Sequence, residues 1–204
     1  MDEKLESKPS TYVYSDPVNG FLGNFLPSGE SVSASSLDQI DWTTPKATGL
    51  EIRQLADRIE AKLSMSEWFV TGMVDPSLFA KEFSFKDDSV ATKGIRSYAE
   101  GVRKIFDQET SRAEVVSVDT DAAKGIIVVT WRLEGCVNLP FKPRITPYVV
   151  TTTFEVDSDG LISSQLDEFS VPGWRLLAGA LLGSWAGPTP ALPVVELRKS
   201  RRIT

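Results

Sequence analysis

Residues 148–169 read YVVTTTFEVDSDGLISSQLDEF, and this stretch decides the fold. Tyr148–Val156 and Leu161–Phe169 are strand-like, rich in Val, Ile and Thr. Between them Asp157-Ser158-Asp159-Gly160 is a turn sequence, so the stretch predicts a β-hairpin. In the second strand the period of two puts Gln165, Asp167 and Phe169 on one face and Leu166 and Glu168 on the other. Upstream, Ala113–Val118 and Gly125–Leu133 repeat the pattern, joined by Asp119–Lys124. Pro140, Pro143 and Pro147 fall between the two pairs, where a missing donor does no harm. The result is a long antiparallel meander.

The chain before the meander is helical. From about Thr48 to Val70, Ile52, Leu55, Ile59 and Leu63 recur at three- and four-residue steps, with Trp68 and Phe69 following and Gly72 as a stop. Asp75-Pro76 opens a helical turn that directs Leu78 and Phe79 inward. Phe83-Ser84-Phe85 predicts a short strand ending in Lys86-Asp87-Asp88, and Gly94 precedes a helix over Ile95–Phe106. Three segments are expected: an extended arm over 1–46, an α+β domain over 47–187 and a basic extended tail over 188–204. The arm carries Tyr12, Tyr14, Phe21, Phe25 and Trp42, which suits packing on its own domain or on a protein partner. Trp174–Trp185 is apolar, fitting a helix over the open end of the sheet or a peripheral membrane contact. Pro188, Pro190 and Pro193 predict an extended run before Arg198, Lys199, Arg201 and Arg202. Helices followed by a meander make an α+β plan: a curved antiparallel sheet wrapped by three or more helices around a conical pocket.

Composition narrows the chemistry. The 204 residues include no histidine and one cysteine, Cys136, and carry a net charge of −6. No Ser-His-Asp or Cys-His couple, imidazole metal ligand, internal disulfide or CxxC pair is available. Acid–base work falls to Asp, Glu, Lys or Tyr. The acidic balance argues against nucleic acid, and no cofactor or metal site is expected. No stretch reaches the ~20 apolar residues of a membrane span, and the first residues, MDEKLESKPS, lack a secretion signal core.

Several motifs together resemble a known superfamily. They are Trp68-Phe69, Leu78-Phe79, Phe83–Asp88, the glycine-started Gly94-Ile95-Arg96-Ser97-Tyr98, the hairpin Phe154–Ile162 and the closing strand Gln165–Phe169. Their order resembles the nuclear-transport-factor-2-like (NTF2-like), or SnoaL-like, cone fold. Trp131-Arg132-Leu133-Glu134-Gly135 before the proline-rich loop resembles an uncharacterised branch from photosynthetic eukaryotes. That resemblance implies a plastid location, with the cytoplasm as the alternative and secretion excluded. The superfamily holds isomerases, cyclases, dehydratases and epoxide hydrolases beside non-catalytic binding and dimerisation modules, so fold alone does not settle function.

The resemblance also places candidate site residues. Asp87 matches where the steroid-isomerase branch keeps a general base, but two adjacent acids in Lys86-Asp87-Asp88-Ser89 favour a solvated turn cap. Asp167 falls mid-strand, facing either the pocket or the solvent or a dimer partner. Relatives often have a histidine where this chain has Gln165, and Thr152 stands where one branch has a second acid. Trp131, Arg132 and Tyr148 on neighbouring strands are candidate partners for Asp167. With Gln165 and Phe169 they form the expected ligand-binding set. The missing proton partners favour a non-catalytic or weakly catalytic module. It would bind an apolar small molecule, or act as an assembly subunit through its arm or as a homodimer. The alternative is an isomerase, cyclase or dehydratase using a lone carboxylate.

Overall fold

The computed structural model describes residues 13–14, 34–88, 90–171, 175, 179 and 187–201. Seven strands form one sheet: β1 Val13–Tyr14, β2 Phe79–Lys86, β3 Val90–Lys93, β4 Arg112–Asp121, β5 Ile126–Cys136, β6 Arg144–Val156 and β7 Ile162–Phe169. Their spatial order is β1-β3-β2-β7-β6-β5-β4. Neighbours are antiparallel except β2 and β7, which run parallel. Four α-helices accompany the sheet among the described residues: α1 Ile52–Ser66, α2 Trp68–Thr71, α3 Ile95–Ile105 and α4 Val194–Arg201. This is the α+β cone that the resemblance implies. Register shifts at Val115/Ser117 in β4 and Leu133/Gly135 in β5 supply the local bends that let strands wrap around a core.

The expected helix over 48–70 is two helices. Glu51 and Gln54 form a capping box that starts α1 at Ile52. At Glu67 the backbone turns left-handed, with φ 47°. The Glu67 carboxylate accepts the Ala113 amide of β4 at 2.8 Å, which holds this kink against the sheet. The kink re-aims the next turn, so Trp68, Phe69 and Val70 are all buried. Phe69 stacks on Trp131 at 4.6 Å and on Phe154 at 6.3 Å, so α2 drives an aromatic wedge into the concave side of the sheet. α1 adds Leu55, Ile59 and Leu63, and α3 adds Ile95, Tyr98, Ala99 and Val102.

The strands run longer than expected: β2 takes in eight residues from Phe79. Part of the arm also lies on the domain. Val13 and Tyr14 pair with Ala91 and Val90, a 3-10 helix spans Ala34–Gln39, and Ile40 is buried with Leu37 and Trp42 beside it. The expected extended tail is corrected over Val194–Arg201, which is helical. Pro193 suits a helix start, and its carbonyl accepts the amides of Glu196 and Leu197. Arg198 then donates to the Val115 carbonyl at 2.5 Å, and Arg201 pairs with Asp119 at 3.2 Å, which pins the helix to β4. Most of the apolar run Trp174–Trp185 lies outside the described residues. No described helix is long and apolar enough to cross a membrane.

The turn Asp157–Gly160 sets the hairpin. Asp157 Oδ1 accepts the amides of Asp159 and Leu161, and the Gly160 amide returns to the Asp157 carbonyl. Gly160 has φ 77°, and a Cβ there would lie 2.7 Å from the Leu50 carbonyl oxygen. Both facts demand glycine. Gly160→Ala is therefore expected to destabilise the fold by roughly 2 kcal/mol or more. A denaturant midpoint that falls at unchanged slope checks this, and an unchanged midpoint contradicts it.

Candidate functional site

Register brings the site together. In the β6–β7 ladder Phe154 lies opposite Gln165, Thr152 opposite Asp167 and Val150 opposite Phe169. In the β5–β6 ladder Trp131 lies opposite Val150 and Leu133 opposite Tyr148. These positions share the concave face with Phe69 of α2 and Tyr98 of α3. Gln165 and Asp167 are almost fully enclosed, at 1% and 6% exposure.

A chain of hydrogen bonds crosses this face. Trp131 Nε1 donates to Thr152 Oγ1 at 2.9 Å, and Thr152 Oγ1 donates to Asp167 Oδ1 at 2.7 Å. Gln165 Nε2 donates to the same Oδ1 at 3.0 Å and to the Tyr98 hydroxyl oxygen at 3.2 Å. Asp167 thus receives two donors on one oxygen, and Oδ2 makes no hydrogen bond among the described residues. Oδ1 already faces two hydrogens, so the proton of the neutral acid belongs on Oδ2. Gln165 Oε1 is buried without a partner.

Burial governs the acidity of the carboxyl. Desolvation pushes the Asp167 pKa up to about 7, against the opposing pull of the Thr152 and Gln165 bonds. The negative charge of Asp87 adds to the rise. Tyr98 and Tyr148 are both raised above the usual phenol value, first by burial and next by the charge of Asp167, so both hold their protons near neutral pH. Tyr148 meets Phe169 edge to face at 5.9 Å, and Phe85 packs on Tyr98 at 4.9 Å.

The expected residues are distributed unevenly. Asp167, Gln165, Thr152, Trp131 and Tyr148 gather on one face, with Phe169 at its edge. Asp87 is half-buried at the end of β2, and its Oδ1 accepts the Val90 amide at 2.6 Å, so it caps the β2–β3 turn. Its charge still reaches Asp167, Tyr98 and Tyr148. Trp131 has one ring face covered by Phe69 and is 3% exposed, so it packs as a core aromatic and contributes its N–H. Arg132 requires a correction. Alternation turns it to the opposite face, where its Nη1 binds Glu114 and Glu134, and it is no partner for Asp167. Tyr98 was missed as a site residue. Its signal was a hydroxyl set on the apolar stripe of α3, which reads as core until the Gln165 bond is seen.

Two outcomes follow. The folded Asp167 pKa lies above the unfolded one, so the native chain holds a proton that the unfolded chain has lost. This contribution is whole below about pH 4 and is lost as pH rises through about 7. Asp167→Asn imitates the neutral acid. It should flatten the pH dependence of stability across that window and surpass the parent above it, by about 4 kcal/mol at most. Denaturation at a series of pH values checks this, and parallel profiles contradict it. Thr152→Val should cost about 1–3 kcal/mol by orphaning the Trp131 N–H. It should also raise the Asp167 titration further, as followed by carboxyl ¹³C resonance.

Comparison with known proteins gives a family and no chemistry. No curated protein matches. Among solved structures, the chain is similar to an NTF2-like protein from Anabaena variabilis (16% identity, covering 60% of this chain and 92% of that one, TM-score 0.47). It is also similar to a phenazine biosynthesis-related protein from Pseudomonas aeruginosa (17%, 70% and 94%, TM-score 0.47). A third likeness is to an LEH-like epoxide hydrolase from M. tuberculosis (18%, 65% and 92%, TM-score 0.44). The sequence model of the family described as "Uncharacterized conserved protein (DUF2358)" matches residues 57–165, more than half of the chain, from α1 to Gln165 in β7. The chain belongs to that family.

Proposed function

We propose that the concave face binds an apolar small molecule through one oxygen atom, with Asp167 as the anchoring acid. One observation carries this reading: a buried carboxyl group, held by Thr152 and Gln165 through Oδ1 alone, set in a wall of aromatic and aliphatic side chains. A neutral acid in such a wall donates one directed hydrogen bond from Oδ2. That suits a ketone, lactone or ether oxygen on an otherwise apolar body, where a few placed polar groups fix orientation. Phe85, Asp87 and Phe169 are each only partly buried, which supports entry of the ligand at their end of the sheet.

A second reading has its own support. A carboxyl group titrating near 7 is matched to proton transfer at neutral pH, and the charge of Asp87 acts on it. A lone-carboxylate isomerase, cyclase or dehydratase reaction would use Asp167 as the proton carrier. The assembly reading depends on the arm, of which Val13 and Tyr14 are paired with the domain's own β3.

Binding and catalysis separate experimentally. Native mass spectrometry of the protein from its source supplies the bound molecule, and a set of apolar ketones and lactones serves as probes. The affinity of an acceptor-only ligand should fall as pH rises through about 7, because Asp167 loses its donated proton. Asp167→Asn keeps a donor, so it should bind without that pH dependence, whereas Asp167→Leu should bind at least about tenfold more weakly. Equal affinity in all three proteins would overturn the anchoring role. Turnover in the parent that vanishes in Asp167→Asn while binding persists would establish the catalytic reading.

A further inference from the structure

The alternation that turns Trp131 inward turns Arg132 onto the outer face of β5. Its Nη1 alone serves two carboxylates, Glu114 Oε2 at 2.6 Å and Glu134 Oε2 at 2.8 Å. Its Nε is buried and has no hydrogen-bond partner, and Nη2 makes no bond among the described residues. The side chain is only 10% exposed. A guanidinium group carries five donors, and the Nε–Nη2 edge is the pair that fits two oxygens of one carboxylate or phosphate group. A buried donor left unpaired is costly, so this edge lacks an acceptor.

A groove of about 460 Å³ lies at that position, lined by Arg132, Arg112, Thr110, Glu114, Glu134 and the Pro193–Val194 start of α4. Such a volume suits a small molecule. Three features favour an anion there. Arg112 and Arg132 line the groove, and Arg144 holds the far oxygen of Glu134 at 2.8 Å. Arg112, Arg132 and Arg144 outnumber Glu114 and Glu134, while Asp107 and Glu109 beside Thr110 share Lys142. Val194 brings the first turn of an eight-residue helix to the rim, where the helix dipole favours negative charge, and Glu196 already occupies that turn.

We infer that this outer groove is a second binding site, distinct from the concave face, for a small molecule bearing a carboxylate or phosphate group. The oxyanion takes the Nε–Nη2 edge of Arg132, with Arg112 as its neighbour. The glutamates on Nη1 fix the plane of the guanidinium group before the ligand arrives, which lowers the ordering cost of binding.

The test uses the whole chain labelled with ¹⁵N-arginine, with the Nε–H signals followed during titration. One arm adds sodium phosphate and a second adds sodium succinate, both at ionic strength held constant with sodium chloride. The expected result is a saturable shift of the Arg132 Nε–H signal in at least one arm, and the responding arm tells phosphate from carboxylate. Arg112→Gln, at an exposed position, should weaken that binding roughly tenfold, as expected for one charge-assisted hydrogen bond. Glu114→Gln removes a competing negative charge and should tighten it. Shifts no larger than chloride alone produces, or saturable shifts confined to other arginines, would overturn the proposal. So would unchanged affinity in both variants.

Discussion

A slip of one residue between β6 and β7 would carry Gln165, Asp167 and Phe169 to the outer face and put Leu166 and Glu168 inside. The turn Asp157–Gly160 prevents it. Asp157 binds two amides of its own turn, and Gly160 adopts a backbone conformation that side-chain-bearing residues resist. The same turn docks the entry to α1, because the Gly49 amide donates to the Asp159 carbonyl and Leu50 packs against Gly160. One short turn therefore fixes the register of the site and the position of the helix layer over it. Everything on the concave face, including the Thr152–Asp167 contact, inherits that register.

Once register is fixed, the aromatic wedge decides how much of the concavity is core. The left-handed kink at Glu67 costs conformational energy, and its bond to the Ala113 amide offsets that cost. The kink sends Phe69 between Trp131 and Phe154. Those two positions then belong to the packed interior, and polar chemistry is confined to the row Thr152, Gln165 and Asp167 beside Tyr98. The site is thus what remains of the concave face after α2 has filled its share.

The sequence was most legible where a period was strict. Alternation in 161–169 puts Gln165, Asp167 and Phe169 on one face, because a strand has two faces only, but it leaves open which face is buried. The helix over 48–70 was legible as apolar spacing, but its break at Glu67 was not. That break depends on an amide of Ala113, 46 residues away, which no local pattern announces. Arg132 lies on a neighbouring strand, but alternation puts it on the face opposite Trp131. The tail helix is hidden by Pro188, Pro190 and Pro193, which signal an extended run, although proline just before a helix favours its start. Tyr98 was invisible as a polar residue, since its ring belongs to the apolar stripe while its hydroxyl belongs to the site.

The absence of histidine takes on a structural meaning at Asp167. An imidazole at position 165 would pair with the carboxylate, hold it ionised and lower its pKa. Gln165 supplies a donor of similar reach without a charge, so desolvation outweighs hydrogen bonding and the acid titrates at about 7. Trp131 and Thr152 act the same way: each adds a dipole and neither adds a cation. Arg132, a cation on the neighbouring strand, is turned away by strand alternation and occupied by Glu114 and Glu134. Among the described residues no lysine or arginine bonds to Asp167, and the inner acid is left to its own desolvation. A carboxyl group in that condition is a hydrogen-bond donor below its pKa and a base above it.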